Sequence, residues 1–182
     1  MCVVSARPQK VPMNLFILRH GIAVEPGSPG FDNDADRPLT ARGRRRIRQI
    51  AGAMREMKLS FDLIFSSPFP RALQTAEIVA DVFKRQKKLA CSNELMPGGS
   101  AKSLIEQLNK IKPTPENILI VGHEPYLSRF IGLLAAGNAD MEIDFKKGGL
   151  CKLEIESLRH GRCAMLAWLL TPRQMKLMVQ SG

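Results

Sequence analysis

Apolar positions along the chain fall into two rhythms. LFIL (residues 15–18), FDLIFSS (61–67) and NILIVG (117–122) are unbroken or nearly unbroken apolar runs of strand length, too short for a buried helix. Between them the spacing becomes helical. Ile47, Ile50, Ala51 and Met54 mark one face of a helix over residues 41–58, with Thr40 placed to cap it. RALQTAEIVADVF continues a second helix, for which Ser67 is the expected cap and Pro68 the first helical position.

A short strand is expected over residues 88–92, followed by a turn in ELMPGGS and a helix in SAKSLIEQLNKI capped by Ser100. Pro125 opens PYLSRFIGLLAAG, and Gly137 marks its end. The tail reads differently. LCKLEIES and CAMLAWLL form the arms of a hairpin around LRHGR, with Gly161 in a tight turn, and PRQMKLMV closes with a short helix. Strands alternating with helices predict an α/β domain with a largely parallel sheet, to which the late hairpin adds antiparallel edge strands.

Composition narrows the function. A length of 182 residues suits one domain, taken here as residues 14–182 behind a loose extension over residues 1–13. Met13, directly before the first strand, is a candidate for the natural start. No apolar run approaches the ~18 residues that cross a bilayer, and MCVVSARPQKVP lacks the apolar segment of a secretory signal. Cys2, Cys91, Cys151 and Cys163 are scattered, as are the three histidines, so free thiols in a reducing cytoplasm are expected and no metal site.

The formal net charge of +10 calls for acidic partners: nucleic acid, an anionic membrane or a phosphorylated substrate. Five arginines crowd residues 42–48, where the simplest reading is a solvated helix face. One Trp and one Tyr leave little for stacking bases, which argues against nucleic acid. No membrane partner is expected, and the chain is read as a monomer.

The candidate chemistry lies at strand ends. LFIL leads into Arg19 and His20, FDLIFSS into Arg71, and NILIVG into His123. In an open parallel sheet the C-terminal strand ends share one side, where ligands bind, and helix N-termini there favour anions. Two arginines can fork onto phosphate oxygens, while two histidines can supply a nucleophile and a donor to the transition state.

LFILRHG, SSPFPRALQTAE and VGHEPYLS together resemble the histidine phosphatase superfamily, the phosphoglycerate-mutase-like group. Its members carry R-H-G after the first strand, S-P-x-x-R-A-x-Q-T-A, and a later V-x-H. DRPLTARG at residues 36–43 is similar to the loop that leads into that family's first helix. The resemblance runs from about residue 14 to the end. It implies a three-layer α/β/α sandwich, His20 as a transiently phosphorylated nucleophile, Arg19 and Arg71 on the phosphoryl oxygens, and His123 as a further donor. It also makes the backbone N–H of Glu124 a candidate donor, and it implies no metal or other cofactor.

The tripeptide Arg-His-Gly occurs twice, at residues 19–21 and 159–161. Only the first follows a buried strand, so Arg159 and His160 are expected to be exposed turn residues without a catalytic role.

Many relatives also use a carboxylic acid, in a stretch resembling L-x-E, to protonate the leaving group. Here that stretch is ELMPGG, where Pro97 occupies the acid's position. An alkoxide leaving group gains ~10²–10⁴-fold from protonation. A phosphohistidine departs as neutral imidazole, whose conjugate acid has a pKa near ~6.5, and needs little help. The missing acid, the small size, GHEP and KKGG (residues 146–149) resemble the SixA-type phosphohistidine phosphatases. The expected substrate is therefore a phosphorylated protein. The alternative is a small phosphomonoester, with Glu94 or a loop aspartate (Asp32, Asp34 or Asp36) as acid. Less favoured is a non-catalytic protein that binds phosphate on the same scaffold.

Overall fold

In the computed structural model, which describes residues 12–180, every strand expected from the apolar runs forms. The expected extension lies outside the described residues as far as residue 11, together with Cys2. The strands are β1 (Met13–Arg19), β2 (Leu63–Ser66), β3 (Leu89–Cys91), β4 (Asn117–Gly122), β5 (Leu150–Ile155) and β6 (Ala164–Leu170). The helices are α1 (Ala41–Glu56), α2 (Pro70–Val82), α3 (Ala101–Asn109), α4 (Tyr126–Ala136) and α5 (Pro172–Gln180).

The sheet order is β3-β2-β4-β1-β5-β6. The first four strands run parallel, and β5 and β6 join antiparallel as the expected hairpin. Alternation along β1 explains the layers, because successive strand side chains point to opposite faces. Leu15 and Ile17 pack with Leu104, Leu127 and Phe130 from α3 and α4. Phe16 and Leu18 pack with Ile47, Val79 and Met175 from α1, α2 and α5. A strand buried on both faces reads as a continuous apolar run, and LFIL does so because it is central to a sandwich.

Local signals hold at most helix ends. Thr40 Oγ1 accepts from the Gly43 N–H at 2.9 Å, Ser100 Oγ accepts from the Ser103 N–H at 3.2 Å, and Gly137 is left-handed with φ 74°. Gly43 has a second reason to be glycine. A Cβ there would lie 2.0 Å from the Ile22 carbonyl oxygen, so the loop after β1 presses against α1 where there is no room for a side chain.

Two details differ from expectation. Helix α2 starts with Phe69 as N-cap and Pro70 at the first position, two residues later than Ser67 and Pro68 suggested. Ser67 is drawn instead toward His123 across the sheet end. The β5–β6 connection is also no tight turn: it wanders over residues 156–163 before β6 begins, with Gly161 at φ 95°.

Register fixes what meets at the sheet's edge. Arg19 pairs with Gly122, Leu18 with Val121, and Ser66 also with Val121. The residues that follow β1, β2 and β4 therefore leave the sheet side by side.

Candidate active site

His20 and His123 emerge from adjacent strand ends with ring centroids 5.1 Å apart. Both are buried, at 6% and 2% exposure. The backbone around His20 is held on three sides. Its N–H donates to the Gly122 carbonyl, the Gly148 N–H donates to the carbonyls of Arg19 and His20, and the Gly21 N–H donates to Thr75 Oγ1. Thr75 in turn donates to the Arg71 carbonyl at 2.7 Å.

The ring of His20 is oriented by chemistry as well as packing. Its Nδ1 lies 2.7 Å from the Gly21 carbonyl oxygen, which can only accept. Nδ1 therefore carries the proton, and the lone pair sits on Nε2. Burial, opposed by that backbone bond and assisted by His123, Arg71 and Arg19, pushes the His20 pKa down to about 3. At neutral pH the ring is an uncharged nucleophile.

His123 shows the complementary arrangement. Its Nε2 lies 2.8 Å from Ser67 Oγ. The Ser67 hydroxyl can donate to Nε2, and in that tautomer Nδ1 bears the hydrogen. Burial first, then the charge of Arg71, lowers this ring also to about 3. Phe69 packs edge-on against the ring at 5.3 Å and also lies under the Arg71 guanidinium, 5.2 Å from Cζ to the ring centroid.

Arg71 is 3% exposed. Its NH1 and NH2 donate to the carbonyl and the Oδ2 of Asp34, the second at 2.8 Å. Arg19, half-buried, donates through NH1 to the Phe145 carbonyl at 2.6 Å. Burial lowers both guanidinium pKa values, yet both groups stay cationic.

Among the described residues, four buried side-chain polar atoms have no hydrogen-bond partner. Three belong here: Nε of Arg19, Nε of Arg71 and Nδ1 of His123. A buried donor left unmatched costs free energy, on the order of 1–3 kcal/mol. Three such donors beside a free imidazole nitrogen fit a tetrahedral oxyanion that accepts from all of them.

The structure thus brings together Arg19, His20, Arg71 and His123, as the strand ends implied. Glu124 follows His123 directly, but its carboxylate is what the contacts reveal: Oε1 accepts from the Ser128 N–H, and its charge offsets part of the lowering that burial imposes on the Arg19 pKa. Of the loop aspartates, Asp34 alone contacts Arg71. Hydrogen bonding from Arg37, outweighing the opposing effect of burial, and then the charge of Arg71 hold Asp34 below the usual carboxylate range. Glu94 Oε2 accepts from the Ser100 N–H at the start of α3, and its charge reaches Tyr126 at the start of α4.

The sequence expectations assign no site role to Ser67, Thr75, Phe145 or Gly148, although Ser67 and Thr75 stand within S-P-x-x-R-A-x-Q-T-A and Gly148 within KKGG. Thr75 also lies one helical turn after Arg71, on the same face.

A sequence model of the histidine phosphatase superfamily (branch 1) matches residues 15–96. An uncharacterized protein of Picosynechococcus is 32% identical over 148 residues, spanning 81% of this chain and 88% of the relative. The phosphohistidine phosphatase SixA of Escherichia coli is 25% identical over 166 residues, spanning 91% and 98%. Among solved structures, that of the protein histidine phosphatase SixA with tungstate superimposes with a TM-score of 0.78 at 25% identity, over 90% of this chain and all of that one.

Proposed function

Since the chain belongs to the histidine phosphatase superfamily, we propose that it hydrolyses phosphohistidine on proteins through a phosphorylated intermediate on His20. His20 Nε2 attacks phosphorus in line with the P–N bond of the substrate. That bond breaks, its electron pair stays on the departing nitrogen, and the substrate imidazole leaves neutral because its other nitrogen holds a proton. Water then attacks phosphorus on His20. The P–Nε2 bond breaks, inorganic phosphate leaves, and the free imidazole returns.

During both displacements charge spreads over the equatorial oxygens. Nε of Arg19, Nε of Arg71 and Nδ1–H of His123 receive them, with the Glu124 N–H as a further donor. These groups are already fixed before substrate arrives, which is how such donors lower a barrier. They supply the positive charge that a metal ion supplies elsewhere, so the reaction runs without one. We place the reaction in the cytoplasm and assign it to the monomer.

One observation carries the choice of substrate. Two of the four candidate acids are engaged otherwise: Glu94 accepts from the N–H of Ser100, the residue that caps α3, and Asp34, the one aspartate in contact with Arg71, is held ionised by Arg37 and Arg71. An ionised carboxylate is a poor proton donor, which suits a leaving group that departs without protonation. The likeness to a phosphatase named for phosphohistidine points the same way, and tungstate in the SixA structure is a tetrahedral oxyanion like phosphate.

A peptide carrying phosphohistidine and one carrying phosphoserine separate the readings. The phosphohistidine peptide should turn over at least about a hundredfold faster, given the value of a missing acid. An acid-labile phosphate should accumulate on the chain and vanish in His20→Ala. Faster turnover of phosphoserine would overturn the substrate assignment.

The contact of Asp34 with Arg71 favours a second reading, a small-molecule phosphomonoesterase with Asp34 as acid. In that case Asp34→Asn loses ~10²–10⁴-fold on an alkyl phosphate while phosphoramidate hydrolysis survives.

A further inference from the structure

The arginine run in α1 does not spread evenly over solvent. Arg42, Arg45 and Arg46 recur at helical spacing on one side, where they meet Arg173 and Lys176 of α5 across a cavity of about 480 Å³. A second cavity of about 530 Å³ shares Arg46, Pro172 and Arg173 with the first and continues past Lys146 and Lys147 to Arg19. Together they form one groove that ends at the candidate active site.

No carboxylate among the described residues lines either cavity. Among the described residues, only Lys146 of the groove forms an ion pair, with exposed Asp144 at 2.6 Å. Like charges facing one another without counterions repel, and an anion in the groove relieves that repulsion. An acidic loop adjoins it: Asp140, Glu142 and Asp144 line, with Arg129, a separate cavity beside the start of α4, and the charge of Asp144 is felt by Arg19.

We propose that the groove between α1 and α5 docks the acidic surface surrounding the phosphohistidine of a protein substrate. This rests on the phosphohistidine reading above. The basic groove and the acidic loop beside it fix the direction in which such a surface approaches. Among the described residues no aromatic side chain lines the groove, which disfavours a nucleic acid that would stack its bases there. Its continuity with Arg19 means that the docked carboxylates and the phosphoryl group engage at once, so the second contact is intramolecular.

The test uses the full chain and two peptides of equal length with a central phosphohistidine, one flanked by glutamates and one by glutamines. The variant Arg42→Gln/Arg45→Gln/Arg173→Gln changes three exposed residues outside the catalytic group. At low salt the unaltered chain should favour the glutamate peptide about tenfold in kcat/KM, and the preference should shrink as salt rises. The triple variant should lose that preference and keep the glutamine peptide within about twofold. Equal treatment of both peptides by the unaltered chain, or equal losses on both in the variant, overturns the proposal.

Binding of the same peptides without phosphate, followed by fluorescence anisotropy, keeps the two ideas apart. If neither phosphopeptide is hydrolysed but the glutamate peptide still binds through the three arginines, docking stands and the phosphohistidine reading falls. Inorganic tripolyphosphate is the third probe. Tighter binding of tripolyphosphate than of the glutamate peptide, lost in the triple variant, would hand the groove to a small polyanion and end the docking proposal.

Discussion

Arg19-His20-Gly21 and Arg159-His160-Gly161 are the same three residues in two different places. The first copy ends a strand buried on both faces, and its backbone is bonded to Gly122, Gly148 and Thr75. The second lies in the open connection between β5 and β6, where Arg159 donates to the Arg162 carbonyl and accepts from Cys163 Sγ. His20 is buried and its ring is fixed, whereas His160 is exposed.

Even the glycines answer different needs. Gly161 adopts φ 95°, a conformation that side chains disfavour. Gly21 is needed for space, since a Cβ there would lie 2.7 Å from Ile47 Cγ1. A tripeptide acquires chemistry from the strand before it and the partners around it, not from its letters.

The sharpest way to break this comparison is to replace His20. His20→Ala should cut turnover of a phosphohistidine peptide on the order of 10⁴-fold or more, as loss of a nucleophile does, while leaving a folded chain. Single-turnover assays with circular dichroism check both halves. Retained hydrolysis in that variant would remove the distinction between the two copies.

Next in size are the donors that the second copy lacks. His123→Ala and Arg71→Ala should each cost ~10²–10³-fold in kcat, the usual loss for one preorganised transition-state donor. Combining either with His20→Ala should add little further, because the groups act as one unit.

Acid stability distinguishes the copies by another route. His20 and His123 are both held near about 3, against an ordinary histidine pKa of 6.5. Between those values the unfolded chain binds protons that the folded chain excludes, so stability falls as pH drops through that window. At pH 5 the loss is about 2 kcal/mol for each ring, taken singly. Denaturant midpoints measured from pH 7 to pH 4 should therefore decline steeply, and His20→Gln should flatten part of the decline. An unchanged slope in that variant would show that the ring at residue 20 is not shielded.

What could be read in advance was local. The apolar runs gave the strands, Thr40, Ser100 and Gly137 gave helix ends, and three strand termini gave Arg19, His20, Arg71 and His123. Partners supplied from afar were not legible. The Phe145 carbonyl that holds Arg19 lies 126 residues away, and nothing in a carbonyl's sequence context marks it. Ser67 suits a helix cap because Pro68 follows it, yet its hydroxyl meets His123 from a neighbouring strand. Which of three aspartates faces Arg71 depends on the 3-10 turn over Asp34–Asp36, an exposed turn capped by the Asn33 side chain and without hydrophobic periodicity to mark it.

The smallest expected effect completes the contrast. His160→Ala removes an exposed ring from a loop whose backbone carries no part of the four-residue cluster. Surface substitutions away from buried partners stay within about ±0.5 kcal/mol, so its stability at neutral pH should match that of the unaltered chain. Its kcat/KM on a phosphohistidine peptide should change by less than about twofold, since 0.4 kcal/mol corresponds to a factor of two. A tenfold loss would mean that the β5–β6 loop reaches the substrate. The second copy of the tripeptide would then have to be moved from the structural side of the comparison to the functional one.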